Sequence, residues 1–315
     1  MSTVQAQAVS TAMSLKSWGM LVLLGIIWGG SFFFARIAVS ELHPLTLVLF
    51  RVAIAALALQ IYLAATGVSF RAALPYAPGL VLLAVLNNVI PFSLIFAGQT
   101  QLGAGLASVL NATTPFWTVL LASQLTTDEK LSWNKVLGIL LGIAGTAVMI
   151  GPGLFSGIGA PTWAKLALIG ASLSYAFALM VAKRLRGIPP AVVATAQLTA
   201  STVVMIPVVL FTNGFGDLFA FSAPVWGAVV SLALLSTAFA YLLYFRLVAE
   251  AGATNASLVT LIVPASAVLL GVLFLGERLE PIEMLGMVVI ALGLVTIDGR
   301  LLDSATKAFG PKRSP

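Results

Sequence analysis

The chain has 315 residues, no cysteine and a single histidine. Without cysteine there can be no disulfide, no thiolate metal site and no cysteine nucleophile. The one histidine, His43, stands beside Pro44 in a connecting segment, so neither a catalytic triad nor a histidine metal centre can be assembled around it. Charge is scarce too: 8% of residues are charged and 60% hydrophobic. A soluble domain needs several times more charge on its surface. The length alone would suggest two soluble domains, but the composition overrides it and implies one polytopic membrane unit. No Walker lysine motif, His-Glu-x-x-His or Gly-x-Ser-x-Gly is present. ATP hydrolysis is therefore not encoded, and an enzyme is not expected. The net charge of +6 comes from basic residues that flank apolar runs and form no patch, which argues against a nucleic-acid partner. No cofactor or metal is implied.

What the chain has in abundance is apolar runs of membrane-spanning length, which is roughly 20 residues. Ten are expected: Trp18–Val39, Leu45–Ala65, Leu74–Ala97, Gly103–Ser123, Trp133–Ile150, Thr162–Ala182, Pro190–Phe211, Pro224–Val248, Thr254–Leu275 and Ile282–Ile297. Residues 1–16 and 301–315 read as polar tails, and no cleaved signal peptide is expected. With the N-terminus in the cytoplasm, only Arg36, Arg51, Lys165 and Arg278 of the sixteen basic residues fall on the far side. That bias places both termini in the cytoplasm.

A repeat runs through the chain at an offset of about 149 residues. Asn87-Asn88 corresponds to Ser236-Thr237, Gly103 to Gly252, and Pro115 to Pro264; one residue of slippage later, Glu129-Lys130-Leu131 corresponds to Glu277-Arg278-Leu279. Matching breaker and polar positions at one offset indicate duplication. The units are residues 17–151 and 162–300, joined by a linker at 152–161. Five spans per unit is an odd number, so the second unit is inverted relative to the first. The fold class expected is all-α: ten transmembrane helices as two inverted five-helix repeats around a central cavity.

The segments Trp28-Gly29-Gly30-Ser31-Phe32, Phe50-Arg51, and Pro264 through Gly276-Glu277-Arg278-Leu279 resemble the EamA family of the drug/metabolite transporter superfamily. The first repeat departs from the pattern, with Thr127-Asp128-Glu129 where the second has Gly-Glu. The resemblance implies a cavity between helices 1–4 and 6–9, with helices 5 and 10 peripheral. It also implies a multi-pass protein of the cytoplasmic (inner) membrane that exports amino acids or other small metabolites. Aromatic amino-acid exporters belong to this group. Alternatives left open are export of lipophilic drugs or other metabolites and, in a different class, a channel or a non-transporting receptor. Mid-membrane amides and aromatics tilt the reading toward amino acids.

Polar residues inside hydrocarbon should face protein or a watery cavity. Asn87 and Asn88 lie near mid-span, one turn before Pro91; Ser108, Asn111 and Pro115 share a helical face, as do Ser257, Thr260 and Pro264. Asn87, Asn88, Asn111, Ser257 and Thr260 are candidate substrate contacts, with Trp28, Tyr175 and Tyr241 as an aromatic wall. The competing role for the amides is interhelical hydrogen bonding, and for the hydroxyls bonding to their own helix. Pro115 and Pro264 are candidate hinges, each freeing a carbonyl four residues back. Arg51 is expected to snorkel or pair with a loop acid, or less expectedly to meet an anion at the cavity mouth. Gly138 and Gly142 could pack a partner subunit or a neighbouring helix, so homodimer and monomer both stand. The partners expected are a small molecule and the lipid bilayer.

Overall fold

The structure, a computed structural model, describes residues 13–125, 132–150, 160–185, 187–212 and 220–298. Most of both tails, most of the linker, Thr127-Asp128-Glu129 and Asn213-Gly214 lie outside the described residues. Seven helices are long and apolar enough to cross a membrane, and three shorter ones are also apolar, among the described residues. They are α1 (Leu15–Ala38), α2 (Pro44–Thr66), α3 (Phe70–Gln99), α4 (Ala104–Gln124), α5 (Trp133–Ile150), α6 (Ala160–Ala182), α7 (Pro190–Thr212), α8 (Ala223–Ala251), α9 (Val259–Leu275) and α10 (Pro281–Asp298). The described residues contain no strand, as the all-α polytopic expectation requires.

Helix ends follow from local chemistry. Ser14 Oγ accepts the Ser17 N–H at the start of α1, and His43 Nδ1 accepts the Leu45 N–H above Pro44 at the start of α2. The only histidine is thus a helix cap. Gly276 closes α9 in the left-handed region (φ 65°), and the next N–H, that of Glu277, donates to Gly271 O at 3.1 Å. That is the turn a glycine makes without strain.

Cross-chain ties define two ends of the bundle. Lys16 pairs with Glu250 at 2.8 Å at one, here the Lys16 end. At the other, the Arg36 end, Arg36 Nη1 donates to the carbonyls of Gln99 and Thr100, Glu41 meets Ser222, and Lys165 pairs with Glu283 at 3.6 Å. The principal packing pairs are α5 on α10, α1 on α9, α2 on α7, α3 on α6, and α4 on both α6 and α9. Exchanging the halves maps α2–α7, α4–α9 and α5–α10 onto themselves and α1–α9 onto α6–α4. The packing therefore carries the pseudo-twofold axis of an inverted duplication.

Glycine lets several of these pairs close. A side chain at Gly29 would strike Ser266 and the Val263 carbonyl, so α1 and α9 meet backbone to side chain there. Gly138 faces the Gly293 carbonyl and Ile297 of α10, and Gly142 faces the ring of Phe116. The Gly138/Gly142 face is therefore occupied inside the chain. Gly138→Ala would put a Cβ about 2.8 Å from Gly293 O. Forcing that backbone contact apart should cost roughly 1–3 kcal/mol, as overpacking does. Thermal unfolding in detergent should show the loss, while ligand binding in the distant cavity stays near wild type.

Candidate functional site

Among the described residues each half carries one π-turn, and the two are equivalent under the repeat: Val85–Val89 in α3 and Leu234–Phe239 in α8. Pro91 follows the first turn but Ala240 follows the second, so proline is not the common cause. Polar groups are. Each turn holds the matched pair, Asn87-Asn88 or Ser236-Thr237, and side chains take up the carbonyls that lose helical partners. Ser201 Oγ donates to Ala84 O at 3.4 Å, Ser174 Oγ to Leu86 O at 2.7 Å, and Thr237 Oγ1 to Leu232 O at 2.8 Å. π-turns in helices concentrate at functional sites.

Between the halves lies a cavity of about 420 Å³. Trp28, Asn87, Asn111, Tyr175, Tyr241 and Thr260 of the sequence candidates line it, as does Pro115. At one end the lining stops at Gln99 and Ser108, both buried; at the other it reaches the half-buried Ala182 and Val193 at helix termini. The cavity thus runs from mid-bundle toward the Lys16 end and is shut toward the Arg36 end.

An amide chain crosses its wall. Asn87 Nδ2 donates to Gln197 Oε1 at 3.0 Å and to the Tyr241 hydroxyl at 3.4 Å, which in turn donates to Asn88 Oδ1 at 3.4 Å; Asn88 Nδ2 donates to Ser201 Oγ at 3.0 Å. Asn88 is fully buried and lies off the cavity, holding α3 to α7. The adjacent amides therefore divide the two roles: Asn87 faces the cavity and Asn88 faces protein. Aromatic rings line the same cavity, with the Trp28 and Tyr244 ring centroids 5.5 Å apart.

The prolines do not behave alike. α4 breaks at Ala112-Thr113, just before Pro115, whereas Pro264 lies inside α9 and away from the cavity. The break in the second half falls earlier, between the short helix Ala253–Ala256 and α9, where Ser257 is exposed and off the cavity. Nor does the Asn111 carbonyl stand open: it accepts the hydroxyls of Thr114 at 2.8 Å and Ser172 at 3.1 Å. It is the Asn111 side-chain Oδ1 that is buried without a partner.

Gln99 and Arg51 line the cavity although neither was among the substrate candidates. Gln99 lies past the expected end of its span; its Nε2 donates to Phe32 O at 2.8 Å, and its Oε1 is buried with no partner. Arg51 neither snorkels nor meets a loop acid. It is 7% exposed, donates from Nε to Thr237 Oγ1 at 2.9 Å, and stacks with Cζ 3.7 Å from the Phe92 ring centroid. No other charged side chain lines the cavity among the described residues.

The closed end explains the Gly-Glu signature. The Glu277 carboxylate accepts the N–H groups of Ala104 at 2.6 Å and Gly105 at 3.1 Å, capping α4 across the repeat boundary. Gly103, Gly105 and Gly271 leave room for it. Beside it Glu41, in the α1–α2 connection, accepts the Ser222 N–H at 2.8 Å and Oγ at 2.6 Å.

The EamA-like transporter family matches residues 16–151 and 162–297, one copy on each half. The chain is 32% identical over 306 residues to the "Uncharacterized inner membrane transporter YedA" of Escherichia coli K12, covering 94% of this chain and 95% of that protein. It is 27% identical over 297 residues to a "Probable terminal-alkyne amino-acid exporter" of Streptantibioticus cattleyicolor, covering 93% and 97%. A solved crystal structure at 18% identity superposes with a TM-score of 0.64 over 91% of this chain and 98% of that one, a likeness of fold.

Two outcomes follow from this geometry. Asn88→Ala should lower stability by about 1–3 kcal/mol, because it strips a buried network. Asn87→Ala should leave melting near wild type and change ligand binding. Equal effects of the two on melting and on binding would contradict the division. Separately, the Ser222 side chain and then its N–H hold the Glu41 carboxyl below its ordinary range. That tie is present above the unfolded value and is lost as pH falls through the lower folded one. Amide-exchange protection at Ser222 should drop on acidification, and in Glu41→Gln should show no such pH step.

Proposed function

Because the chain belongs to the EamA-like transporter family, we propose that it exports amino acids, aliphatic and aromatic ones included, by alternating access. The observation that carries this reading is the closed-ended cavity of about 420 Å³ between inverted repeats, lined by amides, hydroxyls and aromatic rings together. Sites for small organic ligands are of this size and mixed character. The polar groups at mid-bundle suit an α-amino or α-carboxyl group, and Trp28, Tyr244 and Phe245 suit an apolar side chain. The exporter of S. cattleyicolor, named for an amino acid, supports the same class.

In this reading the ties at the Arg36 end are one closed gate. Opening that end requires Glu277 to leave the α4 N-terminus and Glu41 to leave Ser222, while the Lys16 end closes over the cavity. Inverted repeats make the two states alike in energy, which a reversible carrier requires. The α4 break beside Pro115 supplies a bend next to the cavity. Both termini lie in the cytoplasm in the proposed orientation, so the cavity approaches the cytoplasmic side.

Counterflow of radiolabelled amino acids in proteoliposomes, loaded one at a time, tests the reading. Saturable exchange of aliphatic and aromatic amino acids is expected. Flux of lipophilic drugs with no amino-acid exchange would contradict it. Labelling of single cysteines placed near each end, in this cysteine-free chain, reads the orientation.

A further inference from the structure

Resting on the amino-acid reading, we propose that Arg51, Gln99 and Asn111 form a zwitterion subsite, with Arg51 taking the substrate carboxylate and the two amide oxygens its ammonium. A guanidinium has five N–H donors. Arg51 has one hydrogen bond, from Nε to Thr237, and no carboxylate within ion-pair distance among the described residues. A buried cation in that position is costly unless something negative meets it. The stack on Phe92 relieves part of that cost but leaves the terminal N–H groups unmatched. Packing alone would be served as well by an apolar side chain of the same length. The planar fork suits a carboxylate, which it can bind through two parallel hydrogen bonds.

The two amides present the opposite deficit. Gln99 is fixed by its bond to the Phe32 carbonyl, which only the amide nitrogen can make, so its orphan atom is an acceptor. Asn111 Oδ1 is a second buried acceptor with no donor. Both residues line the same cavity as Arg51. Phe92, Phe96 and Gln99 follow one another at i, i+4 and i+7 on α3, with the Phe96 centroid 5.7 Å from Arg51 Cζ. One face of α3 therefore leads from the cation to the Gln99 acceptor, and Asn111 lines the same cavity from α4. Donors without an acceptor and acceptors without a donor around one cavity are the complement of an α-amino acid. The same charge pattern rejects lipophilic cations, since the only charge in the lining among the described residues is positive.

The test uses purified protein in detergent, with four ligands that share a phenyl group: phenylalanine, its methyl ester, 3-phenylpropanoate and phenethylamine. Affinities are measured by thermal shift and by displacement of labelled phenylalanine. Phenylalanine is expected to bind tightest, with the ester and phenethylamine weaker by roughly 10- to 100-fold, the usual size of a lost charge-assisted hydrogen bond. Loss of the ammonium in 3-phenylpropanoate should cost less than loss of the carboxylate. Arg51→Gln should erase the preference for acid over ester, and Arg51→Lys should keep part of it. Should Arg51→Gln fail to fold, the ligand series on the wild-type protein decides alone. Equal affinity for acid and ester, or an Arg51→Gln variant that still discriminates, overturns the subsite and leaves amino-acid transport standing. Wild-type protein that binds phenethylamine but neither phenylalanine nor any other amino acid overturns both.

Discussion

A carbonyl released from its helix inside a bilayer has no water to turn to, so some other group of the protein must donate to it. Most of the irregularity in this fold follows from that constraint. Ser172 holds the carbonyls of Leu110 and Asn111 where α4 breaks, Ser174 and Ser201 hold those beside the α3 π-turn, and Ser236 and Ser266 hold Ile27 and Gly25 of α1. All five of these serines lie in the second repeat, and all six bonds reach a residue of the first. At the α4 break and the α3 π-turn, irregular backbone and the joining of the halves are therefore one operation, while on the continuous helix α1 the same kind of bond only joins the halves. The cavity opens where the helices are bent, because bent helices cannot pack flush along their length.

The same economy shapes the closed end. Glu277 ends its own helix beside a left-handed glycine and caps the first turn of α4, so a single turn both stops α9 and ties it to α4. A carboxylate on a helix N-terminus stabilises by a few tenths to about 2 kcal/mol. Glu41 on Ser222 is fully exposed to solvent and is worth less. In the proposed alternating-access cycle, a tie of this strength is enough to bias a population and weak enough to be released by differential binding of a small ligand.

Much of this was legible in the residues. The ten spans, the repeat at its offset and the inversion it requires all follow from long apolar runs and matched breakers, which are strong signals. The site was legible in part. Asn87, Asn111, Trp28, Tyr175, Tyr241 and Thr260 reach the cavity wall, whereas Asn88 and Ser257 do not. Adjacent residues on a helix point about 100° apart, so neighbouring amides need not face the same way, and here the cavity takes Asn87 while α7 takes Asn88. The π-turns left no mark because one extra residue barely disturbs an apolar run, and the hydroxyls that complete the one in α3 come from other helices. Arg51 was misjudged because distance from a span's end says nothing of which way the side chain turns. Phe92 and Phe96 at i and i+4, offering an aromatic face, were the available hint. The prolines misled as a pair, since Pro115 sits at a helix start and tolerates its missing N–H, while Pro264 lies inside a continuous helix.

The central claim is that two gates at opposite ends close in turn around one cavity. Two cross-repeat contacts mark those ends: Glu41 with Ser222, and Lys16 with Glu250. The direct measurement places cysteines at each pair in turn, joins them with a short cleavable cross-linker, and follows amino-acid counterflow in proteoliposomes. The account predicts that either cross-link stops exchange and that cleavage restores it, with the Glu41–Ser222 link also holding the cavity accessible from the Lys16 end. Undiminished exchange through a protein fully linked at Glu41 and Ser222 would contradict it.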